Sequence, residues 1–519
     1  MTSIEGNWQS KCLKCLKPYY LIINLIVDLR KDLIFNYINQ FIYLIIRFLL
    51  IPVLVRVLGM EAYGVISFYY TVEVLMALMD FGMGATTAKI LAHSDTNTRE
   101  NRFSAVRRIE LIYLSIALVV GTFLIIVAPL LSAHWLNISS GKLNENFIIQ
   151  LMGILFFVSW PRSLYENILI GQNKLSIKNI VNIISHIFRT ALILGFIFLW
   201  KSEIEYYFYA MIISKVIESI TLRYFAYADS PKPIEIASFQ DIKIYLHQSL
   251  HFSLLSIFTL IFFQLDKLYI SKYFSAEALG NYNLSLTLPH ALLALITPIG
   301  LAVFTRTIYF DKNPQAQHAL LQSVKMVGII SLLYCSFLVG GKSAILRLWL
   351  GSQSQLINDW IYQNAILGIL FYSLTQILSN LFMLNNKYLW LNATMAVALA
   401  VYLFSLWRSQ SIIDVARSWT ITSATLMIGL VTGFIYYFRN PGRELLKVVF
   451  SITVIYLFGY FILYYSSDFI TNQATQILIY FVFIVISAFM LFKKFIIGIL
   501  KSLQSIPIFK HLHQNKSLR

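Results

Sequence analysis

The chain has 519 residues, 58% of them hydrophobic and 15% aromatic, with only 13% charged and a mean hydropathy of +0.70. A soluble globular domain carries about twice that charged fraction, so composition excludes an ordinary water-soluble protein. The net charge of +17 does not point to nucleic acid, because the basic residues are scattered over short loops and form no basic domain to hold a duplex.

In chain order, Lys11, Lys14 and Lys17 precede the apolar run from Tyr19 to Val27. A signal peptide begins that way, but Asp28, Arg30, Lys31 and Asp32 follow and no small-residue cleavage site is present. The segment is therefore expected to lie on the inner membrane surface as an amphipathic helix. Cys12 and Cys15 form one CxxC without the second ligand pair that tetrahedral zinc needs; they read as a reduced pair, and Cys335 as packing. From Ile34 to Phe492 the chain is a succession of about fourteen apolar segments of about 20 residues, the length that crosses the hydrocarbon core as a helix with its backbone satisfied internally. The expected spans are 34–56, 64–88, 109–133, 147–170, 180–200, 207–228, 248–270, 281–306, 321–345, 361–384, 389–407, 415–438, 447–465 and 474–492. With both termini in the cytoplasm, Lys and Arg favour the cytoplasmic loops by roughly three to one, as the positive-inside rule requires. The basic tail after Lys493 is expected near anionic headgroups.

The break after six spans contains Pro231 and Pro233 and reads as a linker. Glu61-Ala62-Tyr63-Gly64 before span 2 is similar to Glu277-Ala278-Leu279-Gly280 before span 8, and Asn173-Lys174 after span 4 matches Asn386-Lys387 after span 10. Two matches at nearly one offset point to duplication of a six-helix unit, with both copies in the same orientation. The expected organisation is a surface segment (1–33), an N-lobe (34–228), a cytoplasmic linker (229–247), a C-lobe (248–438), an added helix pair (439–492) and a tail (493–519).

A charged group in the hydrocarbon costs roughly 2.5–3.5 kcal/mol on insertion scales, so it faces a cavity or a partner. Span 1 carries Asn36, Gln40, Tyr43 and Arg47 at spacings of four, three and four, which is one helical face; the face lines either a wet cavity or a hydrogen-bonded helix interface. Glu73 and Asp80 in span 2 are seven apart and are expected on one face. Span 5 has His186 and Arg189. Arg162 and Glu166 in span 4, and Lys215 and Glu218 in span 6, have spacings that allow pairing within their own helices. Spans 8 to 12 hold almost no charge away from their ends, with Asp266 and Lys267 at the end of span 7, Arg306 at the end of span 8, and uncharged Gln376 and Asn380. The expectation is a cavity with one charged wall and one apolar, aromatic wall, suited to an amphiphile with an anionic head, since arginine binds phosphate bidentately. Pro52, Pro161, Pro289 and Pro298 lie within spans, and Gly82 and Gly84 lie just after Asp80; each proline removes a helical hydrogen bond and serves as hinge or frozen kink. His247 and His251 are four apart, but no third metal ligand is near in sequence. Walker A, HExxH and nucleophile-elbow motifs are absent.

From Asn36 to Ala92 the residues Asn36-Tyr37-Ile38-Asn39, Pro52, Arg56-Val57-Leu58-Gly59-Met60-Glu61-Ala62-Tyr63-Gly64, Asp80-Phe81-Gly82-Met83-Gly84 and Lys89-Ile90-Leu91-Ala92 resemble the opening of the polysaccharide flippases, the Wzx or O-antigen transporter group of the MOP superfamily. Asp266-Lys267-Leu268-Tyr269-Ile270 with Leu279-Gly280-Asn281-Tyr282 is similar to the start of that family's second lobe. The resemblance implies an all-α polytopic fold of two six-helix lobes plus a helix pair. It implies no enzymatic activity and no cofactor or metal. It also implies alternating access that carries an undecaprenyl-diphosphate-linked oligosaccharide across the bacterial inner membrane for O-antigen or capsule synthesis. A polysaccharide polymerase and a chain-length regulator are then candidate partners of a monomeric protein. Arg47, Arg189, Gln40, Tyr43, Asn36, Lys215 and Arg162 are the candidate cavity residues, and Glu73, Asp80 and Glu218 the candidate ion-coupling residues. Two alternatives stay open: a MATE-like cation-coupled antiporter using Glu73 and Asp80, and a membrane-embedded polymerase, for which the outer loop from Leu346 to Trp360 is short.

Overall fold

Without water in the bilayer core, every backbone amide and carbonyl must find its partner inside the protein, and a helix does this within one segment. The computed structural model describes residues 35–76, 80, 82–92, 99–135, 138, 143–231, 257–308, 314–385, 387–437, 446–459, 480–489 and 493, and its regular structure over these residues is entirely helical. Among them, eight helices are long and apolar enough to cross a membrane, or nine if one bent pair is counted as a single span. The amino-terminal segment with Cys12 and Cys15, the residues from Lys232 to Ser256 with His247 and His251, and the tail beyond Lys493 lie outside the described residues.

The chain divides into two compact units, Met1–Leu260 with Ser271–Glu277 and Ile261–Ile270 with Ala278–Arg519. The first contains α1 (Phe35–Leu58), α2 (Met60–Met76), α3 (Met83–Ala92), α4 (Arg99–His134), α5 (Glu145–Ser159), α6 (Pro161–Gly171), α7 (Leu175–Gly195, ending in a π-helical turn at Phe196–Trp200) and α8 (Ile204–Tyr227). Helix α9 (257–273) holds residues of both units. The second unit continues with α10 (Ala276–His290), α11 (Leu292–Ile308), α12 (Pro314–Gly340), α13 (Lys342–Leu350, followed by a 3-10 turn at Gly351–Leu356), α14 (Asp359–Leu384), α15 (Tyr388–Trp407), α16 (Ile412–Tyr437), α17 (Leu446–Gly459) and α18 (Tyr480–Phe489).

Without a hydrophobic force between apolar helices in lipid, close approach of small residues holds the bundle. Helices α4 and α5 cross at Gly121 and Gly153, where a Cβ on either glycine would meet the other's carbonyl oxygen at 3.0 and 2.9 Å. The second unit is centred on aromatic rings: Phe262 stacks on Tyr372 with centroids 5.5 Å apart, and fully buried Trp419 lies 5.1 Å from the His290 ring. Asp266, fully buried, accepts from the Tyr282 hydroxyl at 2.6 Å and pairs with Lys267 at 3.2 Å.

The segments matched in sequence adopt matching local structure. Glu61 and Glu277 both stand in the first turn of their helices, where a carboxylate complements the helix dipole. After α6 the Lys174 amide closes on the Leu169 carbonyl, and after α14 the Lys387 amide closes on the Phe382 carbonyl, both at 2.8 Å. That six-to-one closure is the Schellman form of helix ending, and Asn173 supplies the left-handed residue it needs, with φ of 58°.

Two expected spans and one expected loop differ from the structure. The span expected over 64–88 is broken: α2 ends at Met76 and α3 starts at Met83, with Gly82 at φ 75°. Only glycine adopts that conformation without strain, so the apolar run through it is not one helix. The span over 281–306 bends by 44° between α10 and α11, just after Pro289. The residues from Leu346 to Trp360 form the end of α13 and a 3-10 turn rather than an open loop. Pro52, by contrast, sits inside unbroken α1.

Candidate functional site

Within the first unit, charged side chains from α2, α6, α7 and α8 assemble into one network, and α1 runs alongside. Glu218 on α8 is its centre. Its side chain is fully buried and bridges two guanidiniums, lying at ion-pair distance, 2.8 Å, from the Arg162 Nε through one oxygen and accepting a hydrogen bond from Arg189 through the other. Arg162 reaches back along its own helix to Glu166 at 2.7 Å, and Asn182 donates to the same Glu166 oxygen at 3.1 Å. The Arg189 Nε donates to the Ser214 hydroxyl at 3.3 Å. Lys215, nearly buried, pairs with Glu73 of α2 at 3.5 Å.

These contacts confirm the spacing-based pair Arg162–Glu166 and correct two other expectations. Lys215 and Glu218 do not pair with each other, although three apart; packing between helices brings Glu73 to Lys215 and Arg162 and Arg189 to Glu218. Glu73 and Asp80 do not share a face, since the helix breaks between them. Asp80 instead accepts from the Tyr113 hydroxyl and, at 3.3 Å, from the Gly84 amide. There it caps the start of α3, where free amides favour a carboxylate. Its structural task at the break is plain, and it stands apart from the Glu218 network.

Asn36, Gln40, Tyr43 and Arg47 all lie exposed on α1. Tyr43 stacks at a tilt on the His186 ring of α7, with centroids 5.1 Å apart, and Arg47 makes a long 3.5 Å hydrogen bond to the Tyr43 hydroxyl. The stripe therefore continues into the α7 face that holds Arg189. Four basic side chains, Arg47, Arg162, Arg189 and Lys215, meet three carboxylates, Glu73, Glu166 and Glu218. Among the described residues Arg47 is the member without a carboxylate at ion-pair distance. Tyr70 and Tyr207, which share a 3.0 Å hydroxyl contact between α2 and α8, border the same helices and carried no charge or motif that marks them in the sequence.

A second polar knot lies toward the other end of α8. Glu110 accepts from Arg223 at 2.8 Å and from the hydroxyls of Tyr165 and Tyr227 at 2.9 Å each. A cleft of about 210 Å³ lined by Arg102, Phe103, Gln172 and Lys174 lies at this end, and Lys174 is held there by Asp229 at 2.6 Å. Among the described residues no three His, Cys, Asp or Glu side chains converge as a metal site.

Two helical units with helices of membrane-spanning length, each with buried and paired charges, define a polytopic integral membrane protein. The chain belongs to the polysaccharide biosynthesis protein family, whose model matches residues 29–305, more than half of its length. The sequence has no match among curated proteins. Among solved structures, the lipid II flippase MurJ in an inward closed conformation superposes with a TM-score of 0.66 at 14% identity, covering 90% of this chain and 99% of that one. An inward-facing multidrug resistance MATE family transporter of the MOP superfamily gives 0.59 at 16% identity, covering 79% and 95%. A MOP superfamily transporter from Pyrococcus furiosus, described by a reversed polarity of its binding pocket, gives 0.53 at 14% identity, covering 80% and 96%. The chain shares the fold of these flippase and transporter structures.

Proposed function

We propose that this protein flips an undecaprenyl-diphosphate-linked oligosaccharide from the inner to the outer leaflet of the bacterial inner membrane, for O-antigen or capsule assembly. The observation that carries this reading is the basic excess in the first unit: Arg162, Arg189 and Lys215 are held by carboxylates, while Arg47, exposed, bonds to the Tyr43 hydroxyl and has no carboxylate at ion-pair distance among the described residues. A diphosphate head offers the planar, bidentate acceptors that arginine favours, and the exposed hydroxyl and amide groups of Tyr43, Gln40 and Asn36 suit a sugar. Both termini then face the cytoplasm, in keeping with the bias of positive charge.

The test is complementation of a strain lacking its own flippase. Arg47→Ala and Arg189→Ala variants, present in the membrane at normal levels, should abolish surface polysaccharide and trap lipid-linked units on the inner side. Arg47→Lys should restore part of the export. Full export by both alanine variants would overturn the assignment. Shortened polymer without trapped units would point to a polymerase instead.

A further inference from the structure

Outside the Glu218 network, the first unit builds a second cationic site at the end of α4 and α8. Both Arg107 of α4 and Arg223 of α8 place their guanidiniums over one ring, that of Tyr227, at 5.3 and 5.5 Å from its centroid. Glu110 is the carboxylate at this site, and both of its oxygens are engaged: Arg223 and Tyr165 donate to one oxygen and Tyr227 to the other. Arg107 is left over. Its Nε is buried without a hydrogen-bond partner, and no carboxylate among the described residues lies at ion-pair distance from it. Arg223 spends one nitrogen on Glu110, yet its side chain is 57% exposed, so its outer nitrogens face the surroundings.

The surface that leads to these two arginines is apolar. On α4, Leu111, Leu114 and Leu118 follow Arg107 at spacings of four, three and four, and all are exposed. On α8, exposed Ile213, Ile217 and Ile220 run toward Arg223 at spacings of four, three and three, and on α5 between these helices Ile154 and Phe157 are exposed too. A membrane helix that exposes such a stripe presents it to acyl chains. The arginines stand at the end of the stripe that the positive-charge bias assigns to the cytoplasm, the level of the inner-leaflet headgroups.

We infer that Arg107 and Arg223, gripping Tyr227 from two sides, form a binding site for the phosphodiester of an anionic phospholipid of the inner leaflet, with its acyl chains lying over the exposed α4, α5 and α8 side chains. A buried donor lacking a partner, next to a second half-spent guanidinium, is completed by one phosphate with two free oxygens. Basic pockets between helices at the cytoplasmic face attract such headgroups. The site is independent of the transport cargo.

The test is native mass spectrometry of the full-length protein, released from vesicles of phosphatidylethanolamine with a minor fraction of phosphatidylglycerol or cardiolipin. The wild type should retain one anionic lipid in preference to phosphatidylethanolamine. Arg107→Gln should weaken that retention roughly fivefold, about the effect of one basic residue near an anionic surface. Arg223→Lys keeps a charge for Glu110 and should weaken retention while leaving the fold intact, and Lys387→Gln in the second unit should change nothing. Inorganic phosphate at millimolar concentration should not displace the lipid, because it lacks the acyl chains. Equal retention by wild type and Arg107→Gln, equal retention of phosphatidylethanolamine, or full displacement by phosphate would each overturn the assignment.

Discussion

Replacing Glu218 with Gln tests whether the network is an energetic unit. The carboxylate is fully buried and serves two guanidiniums whose own side chains are 24% and 13% exposed. Removing one partner of a buried pair costs about 3–5 kcal/mol, because the other charge is left buried and uncompensated. Gln keeps one carbonyl acceptor, which returns about 1 kcal/mol, and the arginines retain Glu166 at 2.7 Å and Ser214 at 3.3 Å. The expected loss is therefore about 2–4 kcal/mol. Glu73→Gln is the comparison: it strands nearly buried Lys215, but the pair is longer, at 3.5 Å, and the Glu73 side chain is 29% exposed, so the loss should be smaller, about 1–2 kcal/mol. Denaturation of the purified protein in mixed micelles, followed by tryptophan fluorescence, reads both. Adding Arg189→Met to Glu218→Gln removes the stranded charge and should recover more than about 1 kcal/mol relative to the single variant, the coupling expected of contacting residues. If Glu218→Gln costs no more than Glu73→Gln, or the double variant is no more stable than the single one, the shared carboxylate is not what holds α6, α7 and α8 together.

Asp266→Asn should destabilise the second unit by about 3 kcal/mol, measured in the same way, since it strands buried Lys267 and leaves Tyr282 a weaker acceptor. Lys342→Gln, by contrast, breaks a pair to the largely exposed Asp359 and should cost less than about 0.5 kcal/mol. Gly153→Leu should abolish accumulation of folded protein in the membrane, because its Cβ meets the Gly121 carbonyl at 2.9 Å, and even Gly153→Ala should cost about 1–3 kcal/mol by overpacking. Gly82→Ala should cost about 1 kcal/mol from the positive φ alone, and normal thermal stability of that variant would refute the assigned backbone strain.

Helix positions and the presence of a charged first unit were legible in the sequence because both are local. An apolar run of the right length has one solution in lipid, and Asn173-Lys174 or Glu61-Ala62 mark helix ends through backbone chemistry that acts within a few residues. Arg162 and Glu166 were legible for the same reason: four residues along a helix fixes their proximity. Partner choice across helices was not. Lys215 had Glu218 within reach on its own helix and took Glu73, and Glu218 took two arginines from two other helices; only the packing of α2, α6, α7 and α8 decides between those options. The break at Gly82 hid for a different reason. Its neighbours are small or apolar, so hydropathy runs through it, and the signal lay in the Asp80-Phe81-Gly82-Met83-Gly84 string read as a cap and a left-handed turn rather than as a loosened helix. Glu110 and its tyrosines escaped because a carboxylate near the end of a span looks like an ordinary interfacial charge until Tyr165, Tyr227 and Arg223 are seen to close on it.

On the proposed reading, the composition of the Glu218 network constrains how a diphosphate is handled. A site of bare arginines would bind the anion tightly and release it slowly, which defeats turnover. Here each buried guanidinium already has a carboxylate in place, so in the empty protein no large desolvation penalty is left uncompensated. The incoming phosphate gains only the difference between its own contacts and those of Glu218. Arg47, with no carboxylate to displace, is then the group that makes first contact, and Arg189, whose second partner is only the Ser214 hydroxyl, is the easier of the two Glu218 partners to draw away. That ordering makes a distinct kinetic demand: Arg47→Ala should slow substrate capture from dilute lipid-linked donor, whereas Arg189→Ala should lower the maximal flipping rate in reconstituted vesicles. Identical effects of the two variants on both quantities would rule out a stepwise exchange of carboxylate for phosphate.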